Sequence, residues 1–549
     1  MSSIKFKKPL LYYHTLKHLK FSQIYYRLAK SFRRPVVHSV SGFLRNAVCT
    51  DGWVQQPLGR QTLFDNGRCQ FLNRSGFVIN PVDWNSSLET KLWLYNLHYF
   101  QDLVSEGAGS RRHLQSEWLS AWIAQNPPGI GNGWEPYPLS LRIVNWIKSF
   151  MDGLSPEQDW LDSLKIQADY LSQCLEYHLL GNHLFANAKA LLFAGCFFGG
   201  SAADNWRRVA LQILDVQIDE QILNDGGNFE LSPMYHALIL VDVLDILNLA
   251  RVYADCFYPG ILVKIKKKVP AMLQYLSDMS HPDGKLSFFN DTAWGIAPDN
   301  EEIYSYAERL GFKRPQIKST VLTLSDYQDS GYVIFRSEMV TLIADLGMVG
   351  PDYIPGHAHA DTLSFELSVG GKRLFVNSGT SEYGVSAERL RQRKTPAHNT
   401  VSINGLDSSE VWGGFRVARR ARVLERVVSA ERFAFSATHD GFWQQGVKCL
   451  HAREWLLTNS SLQITDRFDG SFESAICFMH LHPDVMVLEI EKQKVSLFAD
   501  LVRVVLVVEN ADIEICHSTW HPEFGVCVQN RCLKLFVRGA SVKMQIAWE

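Results

Sequence analysis

Apolar positions along the 549-residue chain change their period near its middle. From Leu92 to Leu310 they recur at spacings of three and four. "SLRIVNWIKSFMDGL", "HLFANAKALLFAGCFF" and "MYHALILVDVLDILNLARVYA" show this pattern, which belongs to helices. Short Gly, Pro and Asn breaks separate them. Many antiparallel helix pairs in series predict a helical layer closed into a ring or partial ring. After about Lys318 the period becomes two, as in "GYVIFRSEMVTLIADLG", "TLSFELSVGGKRLFVNSGT" and "LVRVVLVVEN". Such strands in succession predict an antiparallel β-sandwich. The expected class is α+β multidomain. A partly helical extension covers 1–90, an (α/α) toroid 91–317 and a β-sandwich 318–549.

Composition narrows the function classes. The formal net charge is −2 and no block of basic residues stands out, which argues against nucleic acid as a partner. Lys5, Lys7, Lys8, Lys17 and Lys20 are spread over a helix-like start. The ten cysteines, Cys49 among them, include no C-x-x-C pair and read as small hydrophobes in a reducing compartment. The N-terminus shows no secretory h-region or cleavage site, so a cytoplasmic location is expected, with the periplasm as the alternative. No apolar run is long enough for an integral membrane segment.

Three polar clusters interrupt the apolar pattern. In "LLGNHLFANAKALLFAG", Gly181 ends one helix and Asn182 is expected as the N-cap of the next, with His183 beside it. A helix start favours an anion, although simple capping explains the same residues. In "DGGNFELSPMYHALIL", Ser232 reads as N-cap and Pro233 as the first helical residue, which puts Tyr235 and His236 in the first turn. In "PGHAHADTLSFE", His357, His359 and Asp361 fall two apart and would share one face of a strand. His398 and Asn377 lie further on. A divalent metal site and a hydrogen-bonded histidine cluster are equally consistent with that spacing.

These segments, together with "AHNTVSINGLDSSEVWGGFRVARRARV", closely resemble the heparinase II/III-like polysaccharide lyases, in the same order along the chain, from about Leu92 to Arg422. The resemblance implies an (α/α) toroid followed by a β-sandwich. It also implies cleavage of an anionic, uronate-containing polysaccharide by β-elimination, with no organic cofactor. The unseen signal peptide adds a separate expectation, action inside the cell on its own exopolysaccharide or on imported oligosaccharides. Carried over by motif, Asn182 neutralises the uronate carboxylate, and His183 assists it or acts as base for one epimer. Tyr235 is the general acid and a second candidate base. His357 is a base or a further neutralising group. A structural zinc maps onto His359 and His398, with its third ligand at Asn377. The family usually has an aspartate there, and a neutral amide is a weaker zinc ligand. Occupancy therefore stays open, with Asp361 as a substitute donor.

Substrate contacts are expected from Trp134, Tyr137 and Arg142, from His98 and Tyr99, and from Asn290 and Trp294. Inter-helix packing is the plain alternative, favoured for Trp146. Arg389, Arg391, Arg393, Lys394, Arg416, Arg419 and Arg420 would steer a polyanion or form a solvated face. Two other functions compete. A glycoside hydrolase would need a carboxylate pair, drawn from Asp225, Glu230 and Asp291. A non-catalytic glycan-binding or assembly protein would need none of this chemistry. The oligomeric state is not legible.

Overall fold

The computed structural model describes residues 3–32, 34–45, 52–316, 322–458 and 460–549. The expected boundary at 317/318 and Cys49 lie outside them. The N-terminal half is an (α/α) toroid. Helices that bury one face alternate along the chain with helices buried nearly all round. Arg112–Gln125, Gln158–Ser172, Ser201–Gln221 and Pro259–Asp278 belong to the first kind. Pro136–Met151, Gly181–Phe197 and Pro233–Val252 belong to the second. An amphipathic helix needs one apolar neighbour, whereas a helix apolar on all sides must be enclosed. The alternation therefore builds an inner ring inside an outer one.

Two features hold the rings together. A Cβ on Gly195 would stand 2.8 Å from the Ala203 carbonyl oxygen and the Arg207 backbone nitrogen, so its absence lets Gly181–Phe197 and Ser201–Gln221 touch. The three inner helices also share a buried charge network. Lys148 donates to Asp245 at 2.9 Å, and Lys189 donates to Asp245 and Asp242 at 2.6 Å each. The two lysines outweigh the burial of Asp245 and hold its pKa down to about 2. By length and composition alone, Pro233–Val252 could cross a bilayer. However, 89% of its apolar window is buried inside the protein, so it is a core helix.

The C-terminal half is an antiparallel β-sandwich. A five-stranded meander runs through Thr323–Asp326, Tyr332–Arg336, Val340–Asp345, Phe365–Val369 and Lys372–Phe375. A bridge between Phe375 and Leu481 joins it to a four-stranded sheet that starts at Val401–Ile403. Both share one core with an eight-stranded sheet running from Val423–Ser429 to Met486–Ile490. The meander is apolar on both faces. Tyr332, Ile334 and Ile343 pack on Leu231, Tyr275, Met279 and Phe289 of the toroid. Val333, Phe335, Leu342 and Ala344 face the sandwich core. Two-sided burial explains why "GYVIF" reads as a continuous apolar run.

The extension crosses between the halves. Helices Ser3–Leu16 and Phe21–Phe32 reach Trp412, whose indole donates to Thr15 at 3.0 Å, and Tyr353, whose carbonyl accepts from Gln23 at 3.1 Å. Tyr26 stacks on Tyr177 of the toroid. The described residues contain nine free cysteines.

Candidate active site

The toroid presents two helix starts to the cleft. The chain reaches the first through Leu180, at φ 65° and ψ −153°, and Gly181, at φ 54°. The helix begins at Gly181 with Leu180 in the cap position. Asn182 therefore lies inside the first turn and is not the N-cap expected from the sequence. Its side chain is free of capping and hydrogen-bonds Tyr137. His183 Nδ1 lies 3.1 Å from Glu176 Oε2, and its ring is 4.6 Å from that of Tyr137. Burial opposes a charge on His183, but the Glu176 carboxylate outweighs it and raises the imidazole pKa above its ordinary value. The same pairing holds Glu176 below its usual range, against its burial.

At the second start Ser232 is the N-cap, accepting the Tyr235 amide at 3.3 Å, and Pro233 opens the helix. Tyr235 faces the cleft. Its hydroxyl meets that of Tyr383 at 3.0 Å, and its ring lies 4.0 Å from His357. Burial pushes the Tyr235 phenol well above its normal pKa. His236 turns the other way and contacts the Met272 carbonyl at 2.9 Å.

The sandwich supplies the opposite wall. His357 and His359 do not lie on a strand, as their spacing suggested, because the strand begins only at Phe365. They sit in the loop before it and converge on one carboxylate. Asp291 is fully buried and meets His357 Nδ1 at 2.9 Å and His359 Nε2 at 2.8 Å. Arg389 clamps the same carboxylate with both terminal nitrogens, Nη2 at 2.7 Å. Burial works against the Asp291 charge, but Arg389 and the two histidines keep its pKa well below the usual carboxylate range. An ionised Asp291 only accepts hydrogen bonds, so both facing ring nitrogens carry protons. In the neutral imidazole this leaves the lone pair of His357 on Nε2, the nitrogen that faces Glu230. This is the orientation by a third group that a general base needs.

Glu230 completes the arrangement. It is buried, its Oε2 lies 3.7 Å from His357 Nε2, and neither oxygen has a hydrogen-bond partner of regular geometry among the described residues. Burial raises its pKa, with His357 and His183 opposing. Strain gathers around these residues. Leu180, Leu231, Asn290 and Leu363 all have positive φ, a costly conformation for leucine, and each lies one or two positions from a cleft or brace residue.

Of the expected substrate contacts, Tyr137 and Tyr99 stand together beside His183, with ring centroids 6.0 Å apart. The others lie elsewhere. His98 is fully buried between the Trp84 carbonyl and the Trp122 indole. Arg142 is fully buried over Trp122 and donates to Gln167 at 2.9 Å. Trp134 packs on Trp122 and Tyr170. Asn290 is a brace, bonded to the Leu231 carbonyl, the His359 amide and Asp361. Trp294 packs on Phe288 and Trp520 at the junction with the sandwich. Aromatic and cationic side chains in the toroid thus serve mainly its own packing. Arg389 and Arg393 are buried too and belong to no solvated face. Tyr383 was not singled out from the sequence, and Asp291 and Arg389, named there for other roles, were not expected to pair. Their link to the cleft spans long chain separations and has no local spacing to reveal it.

The metal set is incomplete. His359 Nδ1 and both ring nitrogens of His398 are buried without a regular hydrogen-bond partner among the described residues, and the two rings lie 5.2 Å apart. The third position, Asn377, uses its amide oxygen to accept the Asn399 amide at 3.0 Å. Asp361 does not substitute. It accepts the Asn290 amide, and it and Asp345 are held toward protonation by burial. Among the described residues no group of three or more His, Cys, Asp or Glu side chains is arranged to hold a metal. The residues present fall one carboxylate short of a three-ligand zinc site. Of the three carboxylates expected for a hydrolase, two are committed elsewhere: Asp291 is locked by Arg389, and Asp225 caps the Gly227 and Ser330 amides at 3.0 and 2.7 Å.

Comparison with known proteins places this architecture in a family. The Heparinase II/III N-terminus profile matches residues 45–309, and the Heparinase II/III-like, C-terminal profile matches residues 320–549. The chain belongs to the heparinase II/III-like family. A heparin-sulfate lyase of Bacteroides stercoris is 28% identical over 308 residues, covering 50% of this chain and 45% of that protein. A heparin-sulfate lyase of Pedobacter heparinus is 27% identical over 359 residues, covering 58% and 52%. The chain thus spans about half the length of these curated relatives. A crystal structure of heparinase III shares the fold at a TM-score of 0.67 and 18% identity, over 86% of this chain and 79% of that one. A heparan sulfate lyase mutant from Pedobacter heparinus does so at 0.60 and 17%, over 96% and 87%.

Proposed function

We propose that the protein is a polysaccharide lyase that cleaves a uronate-containing polysaccharide, of the glycosaminoglycan kind, by β-elimination. The observation that carries this is the convergence of Asn182 and His183 from one helix start, Tyr235 from another and His357 from the sandwich on one cleft. The names of the similar lyases point to the same substrate class.

The chemistry follows from the geometry. The C5 proton of a uronate is weakly acidic until its carboxylate is neutralised. Asn182 and a protonated His183, in the first turn of Gly181–Phe197, meet that demand. His357 Nε2 takes the C5 proton. The electron pair forms the C4–C5 double bond, the C4–O bond breaks, and Tyr235 gives its phenolic proton to the leaving oxygen. A raised phenol pKa keeps Tyr235 protonated, which suits an acid better than a base. Tyr383 holds its hydroxyl in place.

A panel of uronate polymers, followed at the absorbance of the unsaturated uronate, tests this. A new chromophore is expected, and Tyr235→Phe is expected to abolish it. New reducing ends without the chromophore would mean a hydrolase, and binding without either would mean a glycan-binding protein.

A further inference from the structure

One feature of the extension has no part in this chemistry. Helix Phe21–Phe32 is amphipathic but leaves its apolar stripe outward. Gln23 is buried and bonds the Tyr353 carbonyl, and Lys30 contacts His178. Phe21, Ile24, Tyr25, Leu28 and Phe32 repeat at spacings of three and four and occupy the outer face. All five are exposed, Phe21 and Phe32 at 81% and 86%. The preceding helix, Ser3–Leu16, adds exposed Leu10, Tyr13 and Leu16. An outward apolar stripe of this size is unusual for a surface that meets only water.

Charge sets the segment apart as well. The first fifty residues contain ten Lys and Arg and no Asp or Glu, in a chain of net charge −2. Lys8, Lys17, Arg27 and Arg34 are exposed. The acidic groups that the segment meets are already paired. Glu220 is bound by Lys20, and Asp352 by Arg420 at 2.7 Å with His18 at 3.7 Å.

We propose that the outer faces of helices Ser3–Leu16 and Phe21–Phe32, with their surrounding lysines and arginines, dock on an anionic lipid bilayer. A stripe of Phe, Leu, Ile and Tyr flanked by cations suits the boundary between acyl chains and acidic headgroups. A soluble polyanion would satisfy the cations but leave the apolar stripe in water. A second copy would cover the stripe but set two surfaces of the same positive sign against each other. The docking is peripheral and does not depend on the reaction proposed for the cleft.

The test is sedimentation of the full-length protein with vesicles of phosphatidylcholine, alone or with phosphatidylglycerol. Binding to the mixed vesicles is expected to exceed binding to phosphatidylcholine alone by at least tenfold, and to fall as salt rises. A variant carrying Phe21→Ser, Leu28→Ser and Phe32→Ser is expected to lose that binding at least tenfold with an unchanged melting temperature, because the three side chains touch mainly solvent. Equal binding to both vesicle types would overturn the proposal. So would retained binding by the variant, or a dimer in solution that the substitutions dissociate.

Discussion

Asp291 is the side chain on which three groups of the proposed site converge. It fixes the tautomers of His357 and His359 and is itself fixed by Arg389. Asp291→Asn keeps the shape but removes the charge that orients the base. A loss in kcat of about 10²–10⁴ is expected, the range of a general acid–base contribution. Stability should fall by about 3–5 kcal/mol, because Arg389 is left buried without its anion. Turnover and denaturant titration of the variant measure the two effects. The His183–Glu176 pair sets a pH dependence. His183 has a raised pKa in the folded protein, so its charge is present below the ordinary histidine value and is lost as pH rises through the raised one. Substrate affinity is therefore expected to weaken on the alkaline side. Glu176→Gln removes the charge that raises His183 and should move that limb to lower pH in the profile of kcat/KM. At the brace, Asn377→Asp introduces a carboxylate into the set that holds His359 Nδ1 and both ring nitrogens of His398, none of which has a regular partner among the described residues. It is expected to increase the zinc retained after dialysis, and elemental analysis of both proteins decides this.

Among elements, the inner ring depends on a device that hydrophobic pattern does not reveal. Lys148, Lys189 and Asp245 come from three different helices and meet inside the ring. Removing one partner leaves an uncompensated buried charge, which is strongly destabilising. Asp245→Ala is therefore expected to lower stability by about 3–5 kcal/mol, measured by chemical denaturation. A lower figure would mean that Asp242 takes over both lysines. The two helix starts at the cleft obey different rules. Ser232 and Pro233 form an ordinary cap that the sequence announces. Gly181–Phe197 begins after a leucine at positive φ with no side-chain cap, and that is why Asn182 is available to the cleft.

For the whole molecule, the meander joins two domains that would otherwise meet at a surface. Its strands are core for the sandwich on one side and for the toroid on the other. The groups proposed to act in the reaction come from both halves, so their spacing depends on this shared layer. The protein is expected to unfold in one calorimetric transition. Ile343→Asp, placed on the toroid side of the layer, should lower that transition and the activity together. Two separated transitions in the unmodified protein would show that the layer does not couple the halves.

Much of the architecture was legible along the chain, because periods of 3.6 and 2 are local consequences of which side of an element meets water. The change from helical to alternating pattern, the cap at Ser232, and the motifs that hold Asn182, Tyr235 and His357 are each read from residues only a few positions apart. Folding decided the rest. It sent His98, Arg142 and Trp134 into the packing of the ring, although an arginine among aromatics also describes a sugar platform. It brought Asp291 and Arg389, 98 residues apart, into one buried pair with two histidines, and set Tyr383 against Tyr235 across 148 residues. It also turned the apolar stripe of Phe21–Phe32 outward. Burial and pairing depend on what the rest of the chain places opposite a residue, and no spacing within a segment carries that information.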